Sequence, residues 1–195
     1  MADPANPQVR GSWNTPDLAQ DVVLAGHLAY VADRAGGVAI VDVTDPLAPA
    51  LVATWSAGVE VEGLWLRRAD LFAAAGPDGL FRIDVSDPTA PFVVGQVGYF
   101  SWFYWTPPSL AVSGDYAYVG TIGLQYSQFH VVDISDPTAP VIVASVDAWC
   151  CVLDIEIVGG LAYLSVCHAL QIVDISDATA PTTIVHAVSC GGAGL

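Results

Sequence analysis

Acidic side chains open three of the four apolar runs that recur along this 195-residue sequence. Asp21 precedes Val22 to Ala25, Glu62 precedes Gly63 to Leu66, and Asp154 precedes Ile155 to Val158; Ser109 holds that place in the fourth run. Each lies five residues before a turn position, at Gly26, Arg67, Gly159 and Gly114 respectively. If the fold brings them together, paired carboxylates can serve as acid and base in glycoside hydrolysis. Several oxygen donors in one place can also hold Ca2+. The plainer role is that each carboxylate accepts a hydrogen bond from backbone N–H groups of a neighbouring element and needs no ligand.

Two other groups stand out. Tyr99, Phe100, Trp102, Phe103, Tyr104 and Trp105 form a seven-residue stretch interrupted only by Ser101, and Tyr126 follows in the next irregular segment. Such a stretch either buries itself as an apolar lid or offers a stacking platform to a sugar or a protein. Cys150, Cys151, Cys167 and Cys190 all fall in or beside the last repeat. The pattern Cys-Cys-x15-Cys-His168 is not a familiar zinc spacing. A disulfide between Cys167 and Cys150 or Cys151 is expected in an oxidising compartment, with free buried thiols as the alternative.

Composition narrows the function classes. The formal charge is −15, Lys is absent, and Arg10, Arg34, Arg67, Arg68 and Arg82 supply all the fixed positive charge. Such a surface repels phosphate backbones and anionic lipid, so nucleic acid is not an expected partner. No apolar run is long enough for a spanning helix, which argues against membrane insertion. No hydrolase elbow, zinc-protease, P-loop or dinucleotide signature occurs. No signal peptide is visible, and the sequence reads as starting in mid-repeat.

These residues must be positioned by a repeat. The phrase Val131-Val132-Asp133-Ile134-Ser135-Asp136-Pro137 recurs with its first Asp at 42, 84, 133 and 174. A period of 41 to 49 residues, built of short apolar runs, predicts four-stranded propeller blades. The blades are expected near 21–55, 62–98, 109–146 and 152–189, with 3–13 as the outer strand of a preceding blade. With the four strands of each blade lettered A to D in chain order, A and B meet at Gly26, Gly114 and Gly159; blade 2 has Arg67-Arg68 there, so its turn is expected to differ. The Asp-Pro phrase makes the C–D turn, and its Asp residues are assigned to turn hydrogen bonds. Ala178 replaces Pro in blade 4, which predicts the loosest of these turns.

The phrase, the Ala-Tyr-Val strand at 117–119 and the spacing resemble the LVIVD-repeat family of β-propellers, found largely in bacterial and archaeal surface or secreted proteins. The resemblance implies an all-β propeller displayed outside the cell, and no particular reaction. The expected function is a non-enzymatic module recognising protein or carbohydrate. It would bind through the face formed by the D–A and B–C connections, where the aromatic stretch departs from the repeat. The alternative is a glycan-acting hydrolase or lyase using Asp21, Glu62 and Asp154. Four blades are expected to be an arc of a larger ring, or else a closed four-blade ring. An arc would bare two apolar blade faces and self-associate.

Overall fold

The computed structural model describes residues 5–98, 109–122, 127–167 and 169–188, the side chains of 186–188 excepted. Among the described residues, sixteen strands form four antiparallel sheets, each a meander in chain order. Blade 1 holds β1 (Asp21–Ala25), β2 (Leu28–Ala32), β3 (Val38–Asp42) and β4 (Ala50–Trp55). Blade 2 holds β5 (Gly63–Arg67), β6 (Asp70–Ala74), β7 (Leu80–Asp84) and β8 (Phe92–Val97). Blade 3 holds β9 (Ser109–Ser113), β10 (Tyr116–Gly120), β11 (Ser127–Asp133) and β12 (Val141–Ala148). Blade 4 holds β13 (Val152–Val158), β14 (Leu161–Val166), β15 (Ala169–Asp174) and β16 (Thr182–Val188). The fold is the expected propeller.

The alternation of strands explains where the core lies. Tyr30 and Ile40 face blade 2 and pack with Trp55, Leu64, Leu71 and Phe81. The intervening Ala29, Ala39 and Val41 face the other way, under Trp13. Phe72 and Leu80 meet Val112, Val119 and Val132 between blades 2 and 3. Tyr118 and Phe129, stacked at 5.7 Å, meet Val152, Leu164 and Val173 between blades 3 and 4. The apolar core is thus a series of layers between blades.

The inner strands succeed one another: β1 lies against β5, β5 against β9, and β9 against β13. Among the described residues β13 and β1 make no comparable approach. Val22 and Leu24 on β1 are 55% and 68% exposed, and Leu153 on β13 is 46% exposed. The junction between the first and last blades is therefore the loose one.

Residues 5–20 contain no strand. The segment nonetheless holds a blade-like place. A Cβ on Gly11 would overlap the carbonyl oxygen of Pro46 in the C–D turn of blade 1. A Cβ on Gly95, in β8, would overlap the carbonyl oxygen of Pro137 in the C–D turn of blade 3. Gly11 and Gly95 each stand four residues after a turn proline, Pro7 and Pro91. The N-terminal segment thus rests on blade 1 as β8 rests on blade 3.

Two expectations about turns are corrected. Arg68 takes φ 59, matching Gly26 (59), Gly114 (58) and Gly159 (61), so the A–B turn of blade 2 does not differ. The backbone imposes the left-handed conformation on an arginine that carries the steric cost. Nor is the Ala178 turn loosened. Thr179 N and Oγ both donate to Asp177 Oδ1, at 2.9 and 2.7 Å, as Thr138 does to Asp136. Ala178 itself is buried against blade 3, where Ala144 packs.

Candidate functional site

The repeated aspartates are engaged in the turns. Asp42, Asp84, Asp133 and Asp174 each accept from the amide two residues on, at 2.7 to 2.9 Å. Asp45, Asp87, Asp136 and Asp177 do the same at 2.9 Å. Hydroxyl and amide donors at Thr44, Ser86, Ser135 and Ser176 hold the first set below the usual carboxylate range. Turn formation accounts for all of these residues.

The opposite face collects the starts of the inner strands. One cavity of about 210 Å³ is lined by Gln20, Asp21, Glu62, Ser109, Leu153 and Asp154, which come from all four blades. The three expected carboxylates therefore share one cavity. Their hydrogen bonds decide what they can do. Asp21 is used at both oxygens, Oδ1 accepting from Val22 N at 2.7 Å and Oδ2 from Leu64 N at 2.8 Å. That second bond ties blade 1 to blade 2. Asp154 Oδ1 accepts from Ile155 N at 3.0 Å, and Ser109 Oγ donates to Val152 O at 3.2 Å, tying blade 3 to blade 4.

Glu62 differs from the other two. Because Arg68 is the true turn position, Gly63 is the residue in register with Asp21, pairing with Ala74 as Asp21 pairs with Ala32. Glu62 matches Gln20: their amides donate to Ala74 O and Ala32 O. Its side chain is buried, with Oε1 3.6 Å from Arg34 Nε and Oε2 without a hydrogen-bond partner. Burial pushes its carboxyl up, while the Arg34 guanidinium pulls it down. Glu62 also lines a second cavity of about 200 Å³ with Glu60, Gly76, Pro77 and Asp78. Both cavities fall below the several hundred Å³ of typical small-molecule sites.

Arg34 was not singled out by the sequence. It takes φ 41, and its N and O bond Val61 O and N, both at 3.0 Å, which bridges the B–C loop of blade 1 to the following connection. Its guanidinium pairs with Glu60. His130 was also missed as an ionisable core residue. Its Nδ1 lies 2.8 Å from Ser145 Oγ, and burial pushes its pKa down to about 4. Gln171, fully buried, donates from Nε2 to Asp147 O at 3.2 Å and Thr183 Oγ1 at 3.1 Å. It anchors the connection into blade 4.

Tyr99, Phe100, Trp102, Phe103, Tyr104, Trp105 and Tyr126 lie outside the described residues, as does Cys190. The chain reaches them from Val97 and Gly120 and leaves them at Ser109, a cavity residue, and Ser127. Cys150 and Cys167 form a disulfide with Cα atoms 5.8 Å apart, while Cys151 is free. The expected bridge between Cys167 and the vicinal pair is present in the structure, and its partner is Cys150. Among the described residues, Cys150, Cys151 and Cys167 are the only three candidate metal ligands whose donor atoms lie within 4.8 Å of one another. Asp21, Glu62 and Asp154 form no such group.

A family model described as the LVIVD repeat matches residues 18–56, 71–98, 108–148 and 152–186. No curated protein matches the sequence. Among solved structures, the computationally designed Ika4 protein is similar over 88% of this chain and 99% of its own, at 10% identity and TM-score 0.66. BamB from Moraxella catarrhalis is similar over 89% of this chain and 54% of its own, at 12% identity and TM-score 0.62. The Cps50 (Swd1) β-propeller domain of Myceliophteria thermophila is similar over 87% of this chain and 58% of its own, at 13% identity and TM-score 0.56. The chain thus spans little more than half the length of the last two. At these identities the likeness concerns the fold alone.

Proposed function

The chain belongs to the LVIVD-repeat family, and from that premise we propose that it is an exported or cell-surface recognition module for protein or carbohydrate. It binds through the face built from the D–A and B–C connections, with Trp102 and Trp105 as the principal contacts. The observation that carries this reading is the contrast between the two faces. The repeated Asp residues of the C–D turns are consumed by turn bonds, whereas the opposite face holds the inner-strand cavity, and the aromatic stretch ends four residues before the cavity residue Ser109. The engagement of Asp21 and Asp154 by backbone amides supports binding over hydrolysis, since neither stands as an unencumbered acid or base. The Cys150–Cys167 disulfide supports an oxidising location. The acidic surface favours partners that are neutral or basic.

Incubation with a panel of polysaccharides, followed by assays for retention and for new reducing ends, tests the reading. Retention without new reducing ends is expected. Reducing ends that appear with the protein and vanish in Asp154→Asn would overturn it in favour of the hydrolase.

A further inference from the structure

The three cysteines at the top of blade 4 converge in space although their spacing resembles no familiar zinc motif. Cys150 and Cys151 sit in the connection between β12 and β13, and Cys167 follows β14, in the turn that leads to β15. All three are half-buried, and their sulfurs lie within 4.8 Å of one another. Cys167 is held at φ 41, a conformation that turns the chain sharply back after β14. Gln171 fixes the facing connection through Trp149 N and Asp147 O. The two segments bearing the sulfurs are therefore positioned by the fold and not by the disulfide alone. Thiolates ~2.3 Å from a tetrahedral zinc ion stand roughly 3.8 Å apart, so the bridged pair has to part on reduction, while Cys151 already lies within 4.8 Å of both sulfurs.

We propose that, once the disulfide is reduced, Cys150, Cys151 and Cys167 bind one soft d10 cation, zinc in the first instance, through three thiolates. The fourth position is left to solvent or an added ligand. Cys151 lies beside the Cys150–Cys167 bond, near both of its sulfurs, which is the arrangement of a third ligand. The chemistry balances with a phosphine as reductant: phosphine and water become phosphine oxide, and the disulfide takes up two electrons and two protons to give two thiols. Binding then exchanges three thiol protons for one Zn2+, leaving a site of net charge −1. The net charge of −15 favours arrival of a cation, and it is the cation that drives release of the thiol protons. The disulfide and the metal are thus mutually exclusive occupants of one triangle.

The test uses the whole chain, reduced with a phosphine, loaded with Zn2+ and stripped of loosely held ion by gel filtration. One zinc per chain is expected in the reduced protein and none in the oxidised protein. Cys151→Ser keeps the disulfide and so folds as the parent does; after reduction it should hold zinc at least tenfold more weakly. Cys190→Ser should bind as the parent. Substitution with Co2+ supplies a second readout, a sulfur-to-cobalt charge-transfer band that falls in Cys151→Ser. Equal zinc retention by the parent and Cys151→Ser, loss of retention in Cys190→Ser, or no retention by reduced parent each overturns the proposal.

Discussion

Acidification from pH 7 to pH 4 should destabilise the fold mainly through His130. The residue is 6% exposed on β11, within the sheet of blade 3, and its Nδ1 meets Ser145 Oγ on β12. Burial holds its pKa down at about 4, against 6.5 for an unperturbed imidazole. Between those values the unfolded chain binds a proton that the native protein refuses, so stability rises with pH across this window. The contribution is therefore complete above pH 6.5 and is lost as pH falls toward 4. A separation of this size corresponds to roughly 3 kcal/mol. His130→Gln keeps a polar partner for Ser145 and removes the titration. Urea unfolding of both proteins at pH 7, 5.5 and 4 gives the difference directly. The parent should lose roughly 3 kcal/mol more than the variant between pH 7 and 4. The turn aspartates, with pKa values lowered, lose their contribution only at lower pH and act alike in both proteins. Parallel stability–pH curves for parent and variant would refute the reasoning.

Other outcomes follow from particular contacts. Arg68→Gly should stabilise the protein by roughly 0.5–1 kcal/mol, because glycine occupies the left-handed turn without the Cβ clash; an unchanged or lower urea midpoint counts against it. Gly95→Ala should cost about 1–3 kcal/mol, since the new methyl meets the Pro137 carbonyl and, at 3.1 Å, Pro140 Cδ. Gly98→Ala, with no atom within 4 Å, is the matched control and should be neutral in the same melts. Self-association is expected through the bared blade faces, where Val22, Leu24, Leu153 and Leu170 are exposed. Light scattering coupled to size exclusion should report a mass above the 20.3 kDa of one chain, and a stable monomer would contradict it.

Much of this architecture was legible because it repeats. The Asp-Pro phrase carries its own turn chemistry, so four copies specified four C–D hairpins, and the apolar runs between them specified the strands. What escaped was set by the backbone or by distant partners. An arginine gives no hint that it will adopt φ 59, and the misplaced turn shifted Glu62 by one register position. Each C–D hairpin also carries a register shift, beside Ile40, Arg82, Val131 and Ile172. Extra residues in the outer strand are absorbed there as bulges, and alternation of side chains alone does not reveal them. Gly37 and Gly79, at φ 80 and 94, stop the hairpins of blades 1 and 2 where Gln128 and Ala169 let those of blades 3 and 4 continue. Asp21 and Asp154 stand five residues before their turn glycines and line one cavity, whereas Glu62 reaches it from one position earlier in its blade than the sequence spacing implied. Their occupation by backbone donors, the burial of His130 and the Arg34 pairs depend on which neighbours fold against them, which one strand's sequence does not carry.

The central functional claim is that recognition belongs to the loop face and not to the turn face. The most direct measurement is a binding screen of immobilised protein against a panel of polysaccharides and proteins, run for the parent, for Trp102→Ala with Trp105→Ala, and for Asp133→Ala. The account predicts that the double tryptophan variant loses binding with its β-sheet circular dichroism intact, while Asp133→Ala binds as the parent and melts at a lower temperature. Binding lost in Asp133→Ala at an unchanged melting temperature, with the tryptophan variant unaffected, would contradict it.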